Sequence, residues 1–138
     1  MAEPAPTPGW EQGMPLDVMR DLCRYWAEEY DWRATEARLN AVPQYLVGVN
    51  GLRVHVVRAR SPYPGALPLI LTHGWPGSVL ELVGLIGALT DPVRHGGAPE
   101  DAFDVVIPSL PGYGLSDKPT TPGWGVERIG HGHGHGHA

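Results

Sequence analysis

Apolar positions at Leu16, Met19, Cys23, Trp26 and Tyr30 recur at steps of three and four, with Asp17, Arg20, Asp21, Arg24 and Glu28 between them. That period predicts an amphipathic helix. It begins near Pro15, whose fixed φ suits a first helical turn, and it places Cys23 among buried helix residues. Asp31 is positioned to cap a second, shorter helix through Leu39, with Trp32 and Leu39 two turns apart on one face and Asn40 with Pro43 ending it. The aromatic stripe reads as packing rather than as a binding box.

The pattern then changes period. Tyr45 to Val49 and Leu52 to Arg58 are β-rich runs on either side of Asn50-Gly51, a dipeptide that tolerates positive φ at both turn positions. A tight antiparallel hairpin is predicted. Leu52, Val54 and Val56 fall on one strand face and Arg53, His55 and Val57 on the other, which makes His55 a solvated or hydrogen-bonded strand residue with no catalytic role. After a Pro/Gly loop at 61–66, the short apolar run Leu67 to Thr72 has the character of a central strand, with Pro68 marking its beginning. Ser78 and Glu81 have capping-box spacing, and the helix they open carries Val79, Leu80, Leu82, Val83, Leu85, Ile86 and Leu89, so it requires cover on several sides. A loop from Thr90 to Asp101 leads to a second strand over Phe103 to Ile107, completing a parallel β-α-β unit. A long Gly/Pro loop follows from Pro108 to Gly125, and a helical pattern beginning at Val126 is interrupted at Gly130.

Composition narrows the function classes. The 19 glycines and 15 prolines in 138 residues signal many turns. The net charge is −5, and the ten basic residues are scattered, which disfavours nucleic acid as a partner. A single cysteine excludes an internal disulfide framework and a cysteine-based zinc site. The first residues lack the basic end and apolar core of a signal peptide, and no run approaches a membrane span, so a cytoplasmic protein is the expectation.

The chemistry concentrates between the first parallel strand and its helix, in His73-Gly74-Trp75-Pro76-Gly77-Ser78. Open α/β sheets place ligands at the carboxyl ends of their strands. Two glycines allow close backbone approach, a proline able to take the cis form fixes the turn, and the helix end adds a positive dipole. These are the parts of an oxyanion hole. Taken alone they equally fit a βα turn whose Gly and Pro serve geometry, with Trp75 packing and His73 bonded to the loop.

With the runs Tyr30-Asp31-Trp32-Arg33 and Gly51-Leu52-Arg53-Val54-His55, the segment Ile107-Pro108-Ser109-Leu110-Pro111-Gly112-Tyr113-Gly114-Leu115-Ser116-Asp117-Lys118-Pro119, and Gly123-Trp124-Gly125-Val126-Glu127-Arg128-Ile129, this motif resembles the epoxide hydrolases of the microsomal type, within the α/β-hydrolase superfamily. The resemblance runs from about Leu16 to Ile129. It implies an α/β fold: a truncated α/β-hydrolase core, made of the hairpin and the first parallel β-α-β unit, preceded by an amino-terminal helical extension. It divides the chain into a flexible start at 1–14, the extension and hairpin at 15–60, the first part of the core at 61–129 and a disordered tail at 130–138.

In that family an aspartate on a strand-to-helix elbow opens the epoxide to an ester, a His-activated water hydrolyses the ester to a diol, and two lid tyrosines bond the epoxide oxygen. The resemblance implies the Trp75 backbone N–H as an oxyanion donor, typically worth about 3–4 kcal/mol, and the Trp75 ring as a substrate-pocket wall. It makes His73, Gly74, Pro76 and Gly77 structural members of the motif: His73 is not the base, and a side chain at Gly74 blocks the loop. Tyr113 is structural rather than a proton donor. No residue matches the nucleophile, base, orienting acid or lid tyrosines, and Asp101, Asp104 and Asp117 read as surface carboxylates without an elbow. The implied substrate is a small hydrophobic epoxide, with no cofactor and no metal, and the chain is expected to be inactive by itself. Two alternatives are a non-catalytic module completed by a partner chain and a fragment related to haloalkane dehalogenases, which the amino-terminal extension disfavours.

The tail from Gly130 to Ala138 alternates glycine with His131, His133, His135 and His137. Such a tract can bind transition metals, but flexible glycines make ordering the ligands costly, so adventitious binding is the expectation.

Overall fold

The computed structural model describes residues 9–11 and 13–134. Two compact units divide between Ala37 and Arg38. The first holds α1, Leu16–Glu28, and most of α2, Trp32–Asn40. Asp31 caps α2 as the sequence predicts, its Oδ1 accepting the Arg33 N–H at 2.9 Å. The Tyr30 and Thr35 hydroxyls meet at 2.6 Å, and the Tyr25 and Tyr30 rings meet edge-on at 6.5 Å.

Helix α1 overturns one expectation. None of its residues is buried, Trp26 is 71% exposed and Cys23 is exposed rather than buried. Periodicity shows which face of a helix is apolar. It does not show whether anything lies over that face.

The second unit is built on one four-stranded sheet, in the order β1-β2-β4-β3. Strands β1, Gln44–Val49, and β2, Leu52–Ala59, form the predicted hairpin, with Val49 opposite Leu52. Asn50 and Gly51 take φ of 50° and 83°, so both turn positions are left-handed, as a two-residue hairpin turn requires. Strand β4, Phe103–Pro108, lies antiparallel to β2 and parallel to β3, Leu67–Ile70. The predicted parallel pair is therefore present, with β4 between its neighbours and β3 at the edge.

The core gathers on β2 and β4. Val57, Val105 and Ile107 are fully buried, and Val79 and Ile86 pack with them. Each such side chain stabilises the fold by roughly 1.5–3 kcal/mol. Strand β2 buries residues on both faces, Val54 on one and His55 with Val57 on the other, so His55 is hydrogen-bonded but not solvated.

Between β3 and β4 the sequence predicts one apolar helix opened by a Ser78/Glu81 capping box. The structure has two short helices, α3 at Leu80–Val83 and α4 at Ile86–Thr90. Ser78 Oγ accepts the Leu80 N–H at 3.3 Å rather than that of Glu81, so no capping box forms. The break falls at Gly84, where glycine weakens a helix by about 1 kcal/mol. Leu80 and Leu85 are exposed, so the segment is covered on one side only.

A last helix, α5, spans Val126–Gly134. It passes Gly130, where the sequence predicts an interruption, and takes in the first part of the His-Gly tail expected to be disordered. A glycine costs a helix about 1 kcal/mol without forbidding it. Residues 1–8 and 12, within the expected flexible start, and the tail from 135 onward lie outside the described residues. Among the described residues no helix is long and apolar enough to cross a membrane.

Candidate active site at the carboxyl ends of the parallel strands

Because β3 and β4 run parallel, the segments that leave their carboxyl ends emerge side by side. One is the turn from His73 to Ser78; the other begins at Ser109. His73 joins them. It is 4% exposed, its Nε2 accepts the Leu110 N–H at 3.2 Å, and its ring meets that of Tyr113 edge-on at 5.2 Å. Since Nε2 is accepting, the proton of the neutral ring sits on Nδ1, which faces the Gly74 carbonyl at 3.3 Å. The same carbonyl accepts the Gly77 N–H at 2.7 Å. His73 is thus occupied on both nitrogens within the turn, an arrangement that fits a structural residue.

These bonds bear directly on Trp75. The Gly74 carbonyl and the Trp75 N–H belong to one planar peptide unit, and across a trans peptide they point in opposite directions. Holding the carbonyl against His73 and Gly77 therefore aims the Trp75 N–H away from them. Among the described residues that N–H donates to no protein acceptor. The Trp75-Pro76 peptide is cis, and the Trp75 ring is 83% exposed.

Of the two glycines of the motif, Gly74 differs from expectation. A Cβ at Gly74 would meet nothing within 4 Å, so a side chain there does not block the loop; the surroundings of Gly74 are open. At Gly77 a Cβ would collide with the Glu81 carboxylate, the mobile end of a long side chain.

The three candidate carboxylates serve the backbone. Asp101 Oδ2 accepts the Ala98 N–H at 3.0 Å, and Asp104 Oδ1 accepts the Ser61 N–H at 2.8 Å. Asp117 accepts the Arg53 N–H at 2.9 Å and the Arg53 guanidinium at 3.1 and 3.0 Å, while its own N–H returns to the Arg53 carbonyl. Hydrogen bonding from Arg53 holds the Asp117 carboxyl below its ordinary range and raises Arg53. This clamp ties the loop after β4 to β2. Sequence reasoning missed it, because the partners lie 64 residues apart and no local spacing links them.

A second missed feature is a buried polar cluster behind the site. His55 Nδ1 lies 2.8 Å from Ser109 Oγ and its Nε2 2.8 Å from Gln44 Oε1. Ser116 Oγ accepts the His55 N–H at 2.9 Å and donates to the Ser109 carbonyl at 2.7 Å. Burial holds the His55 imidazole below its ordinary pKa, favouring the neutral ring. Among the described residues no group of three or more His, Cys, Asp or Glu side chains is arranged to hold a metal ion.

Comparison with known proteins bears on the family and the fold. The family model described as "Epoxide hydrolase N terminus" matches residues 1–82. The chain is 55% identical over 120 residues to a candidate epoxide hydrolase of Stigmatella aurantiaca, covering 87% of this chain and 27% of that protein. It is 36% identical over 116 residues to epoxide hydrolase 1 of Oryctolagus cuniculus, covering 81% and 26%. The crystal structure of juvenile hormone epoxide hydrolase from the silkworm Bombyx mori superposes with a TM-score of 0.78 at 33% identity, over 94% of this chain and 30% of that one. The chain therefore spans about a quarter of the length of the curated relatives it matches.

Proposed function

The chain belongs to the epoxide hydrolase family, and on that premise we propose that it supplies the oxyanion-hole segment of an α/β-hydrolase that converts small hydrophobic epoxides to vicinal diols, with the Trp75 N–H as one donor. The observation that carries this reading is the held Gly74 carbonyl, which leaves the amide on the other side of the same peptide free of any described acceptor. In the reaction a carboxylate attacks a ring carbon. The C–O bond breaks towards oxygen, which takes up a proton, and an ester forms. Water, losing its proton to a base, then attacks the ester carbonyl, and negative charge develops on the carbonyl oxygen until the bond to the diol oxygen breaks, that oxygen takes up a proton and the carboxylate is restored. A preorganised N–H aimed at the carbonyl oxygen stabilises the transition state more than the ester, which is how a donor accelerates the step.

The attacking carboxylate comes from elsewhere in the family fold. Asp101, Asp104 and Asp117 are all engaged in backbone bonds, which supports the reading that the 138-residue chain alone turns over no epoxide. A further segment, in the same molecule or in a companion chain, supplies nucleophile, base and acid. Two surfaces favour such completion: the exposed stripe of α1 and the open edge of β3, where Leu67 and Ile70 are exposed.

The test is a chimera in which residues 1–129 replace the matching segment of the silkworm enzyme. Hydrolysis of an aryl epoxide is expected. Replacing Trp75 by its α-hydroxy acid, which exchanges the amide N–H for an ester oxygen, should lower kcat by about 10²–10³-fold. An unchanged kcat would remove Trp75 from the mechanism, and diol formation by the 138-residue chain above the buffer rate would refute its inactivity.

A further inference from the structure

The buried cluster behind the site has a fixed direction of donation. Gln44 Nε2 donates to the Leu39 carbonyl at 2.9 Å, which turns Gln44 Oε1 towards His55. A carboxamide oxygen only accepts, so His55 Nε2 carries the ring proton and His55 Nδ1 accepts from the Ser109 hydroxyl. Ser109 is 2% exposed and is followed by Leu110, whose N–H is held by His73 Nε2. The two histidines thus adopt opposite tautomers, Nε2–H in His55 and Nδ1–H in His73, on either side of the dipeptide Ser109-Leu110. Beyond His73 stands the Gly74 carbonyl, which shares its peptide plane with the Trp75 amide.

We propose that Gln44 and His55 are positioning residues for the Trp75 amide, acting through Ser109, Leu110 and His73. Gln44 fixes the His55 tautomer, the tautomer fixes the Ser109 hydroxyl, and Ser109 holds the Leu110 N–H where His73 meets it. The inference rests on the oxyanion reading of Trp75 for its bearing on catalysis, but the chain of bonds is measurable without turnover. Three of its members, His55, Ser109 and His73, are buried, and a buried network loses more when broken than its separate bonds suggest.

The experiment is nuclear magnetic resonance on the 138-residue chain. Long-range proton–nitrogen correlations should show His55 protonated at Nε2 and His73 at Nδ1; the reverse assignment at either ring overturns the proposal. Gln44→Leu should release the His55 tautomer, speed Leu110 amide exchange by about tenfold, the scale of one lost hydrogen bond, and shift the Trp75 amide resonance. Ser109→Ala should do the same at Leu110 and Trp75. In the double variant Gln44→Leu should add less than about twofold, because the relay is already cut. Additive effects, or a changed His55 tautomer with Leu110 and Trp75 undisturbed, would refute the relay. Should Gln44→Leu not fold, the tautomers of the unsubstituted chain and the response to Ser109→Ala still decide. These readouts do not depend on the chimera: an unchanged kcat there would end the oxyanion reading while leaving the relay standing, and additive exchange rates would do the opposite.

Discussion

Replacing Ile107 by alanine tests whether β4 is the mechanical centre of the second unit. Ile107 is fully buried among Val57, Val79, Ile86 and Val105, two residues before Ser109. The substitution deletes about three carbons, roughly 2.4 kcal/mol in transfer free energy at about 0.8 kcal/mol per carbon. The unfilled cavity raises the total to about 3–5 kcal/mol. Leu115→Ala removes a similar volume from a side chain that is 63% exposed, and its expected effect is within about 0.5 kcal/mol. Urea unfolding followed by circular dichroism measures both. With a urea slope of about 1–3 kcal/mol/M, Ile107→Ala should move the midpoint by at least about 1 M and Leu115→Ala by a small fraction of that. Equal shifts would show that the β2–β4 cluster does not carry the stability assigned to it.

Three further outcomes follow from the structure. Because burial lowers the His55 pKa below its ordinary 6.5, the unfolded chain binds more protons than the folded one just below that pH; stability present above pH 6.5 should decline as pH falls towards the folded value, and His55→Gln should flatten that part of a stability–pH curve. The Asp117 carboxyl is held below its ordinary 3.8 by Arg53, so its contribution is present above pH 3.8 and lost as pH falls through the lower folded value. Asp117→Asn should accordingly speed amide exchange at Arg53, whose N–H donates to the carboxylate, more than at Gly112, whose N–H donates to the Asp117 backbone carbonyl that the substitution retains. Gly51→Ala, at φ 83°, should destabilise the hairpin by about 1–2 kcal/mol in the same urea assay.

Local signals were legible wherever a residue's own conformational preference decides the outcome. Asn50-Gly51 fixes the hairpin because both residues accept positive φ, and Asp31 starts α2 because its carboxylate satisfies a free N–H. The apolar run of β4 identifies itself because a strand with neighbours on both sides has little polar alternation, whereas the run of β3, which reads as a central strand, lies at the edge with Leu67 and Ile70 exposed. Partners distant in sequence were not legible. Nothing near Gln44 foretells the Ser109 hydroxyl at the other end of His55, and nothing near Arg53 foretells Asp117.

Cover was equally hidden from periodicity. The stripe containing Cys23 is apolar in sequence and exposed in the structure, and the run after Ser78 breaks into α3 and α4 with Leu80 and Leu85 outside. The site divides along the same line. The motif from His73 to Ser78 could be read from composition, whereas the aim of the Trp75 amide depends on which nitrogen of His73 accepts from Leu110.

The most direct test of that aim is hydrogen exchange at single amides of this chain at neutral pH. The Trp75 amide should exchange close to the rate of an unbonded peptide, while the Leu110 amide, held by His73, is protected. A Trp75 amide as protected as Leu110 would show that the chain already satisfies it internally, leaving no donor for an ester oxygen.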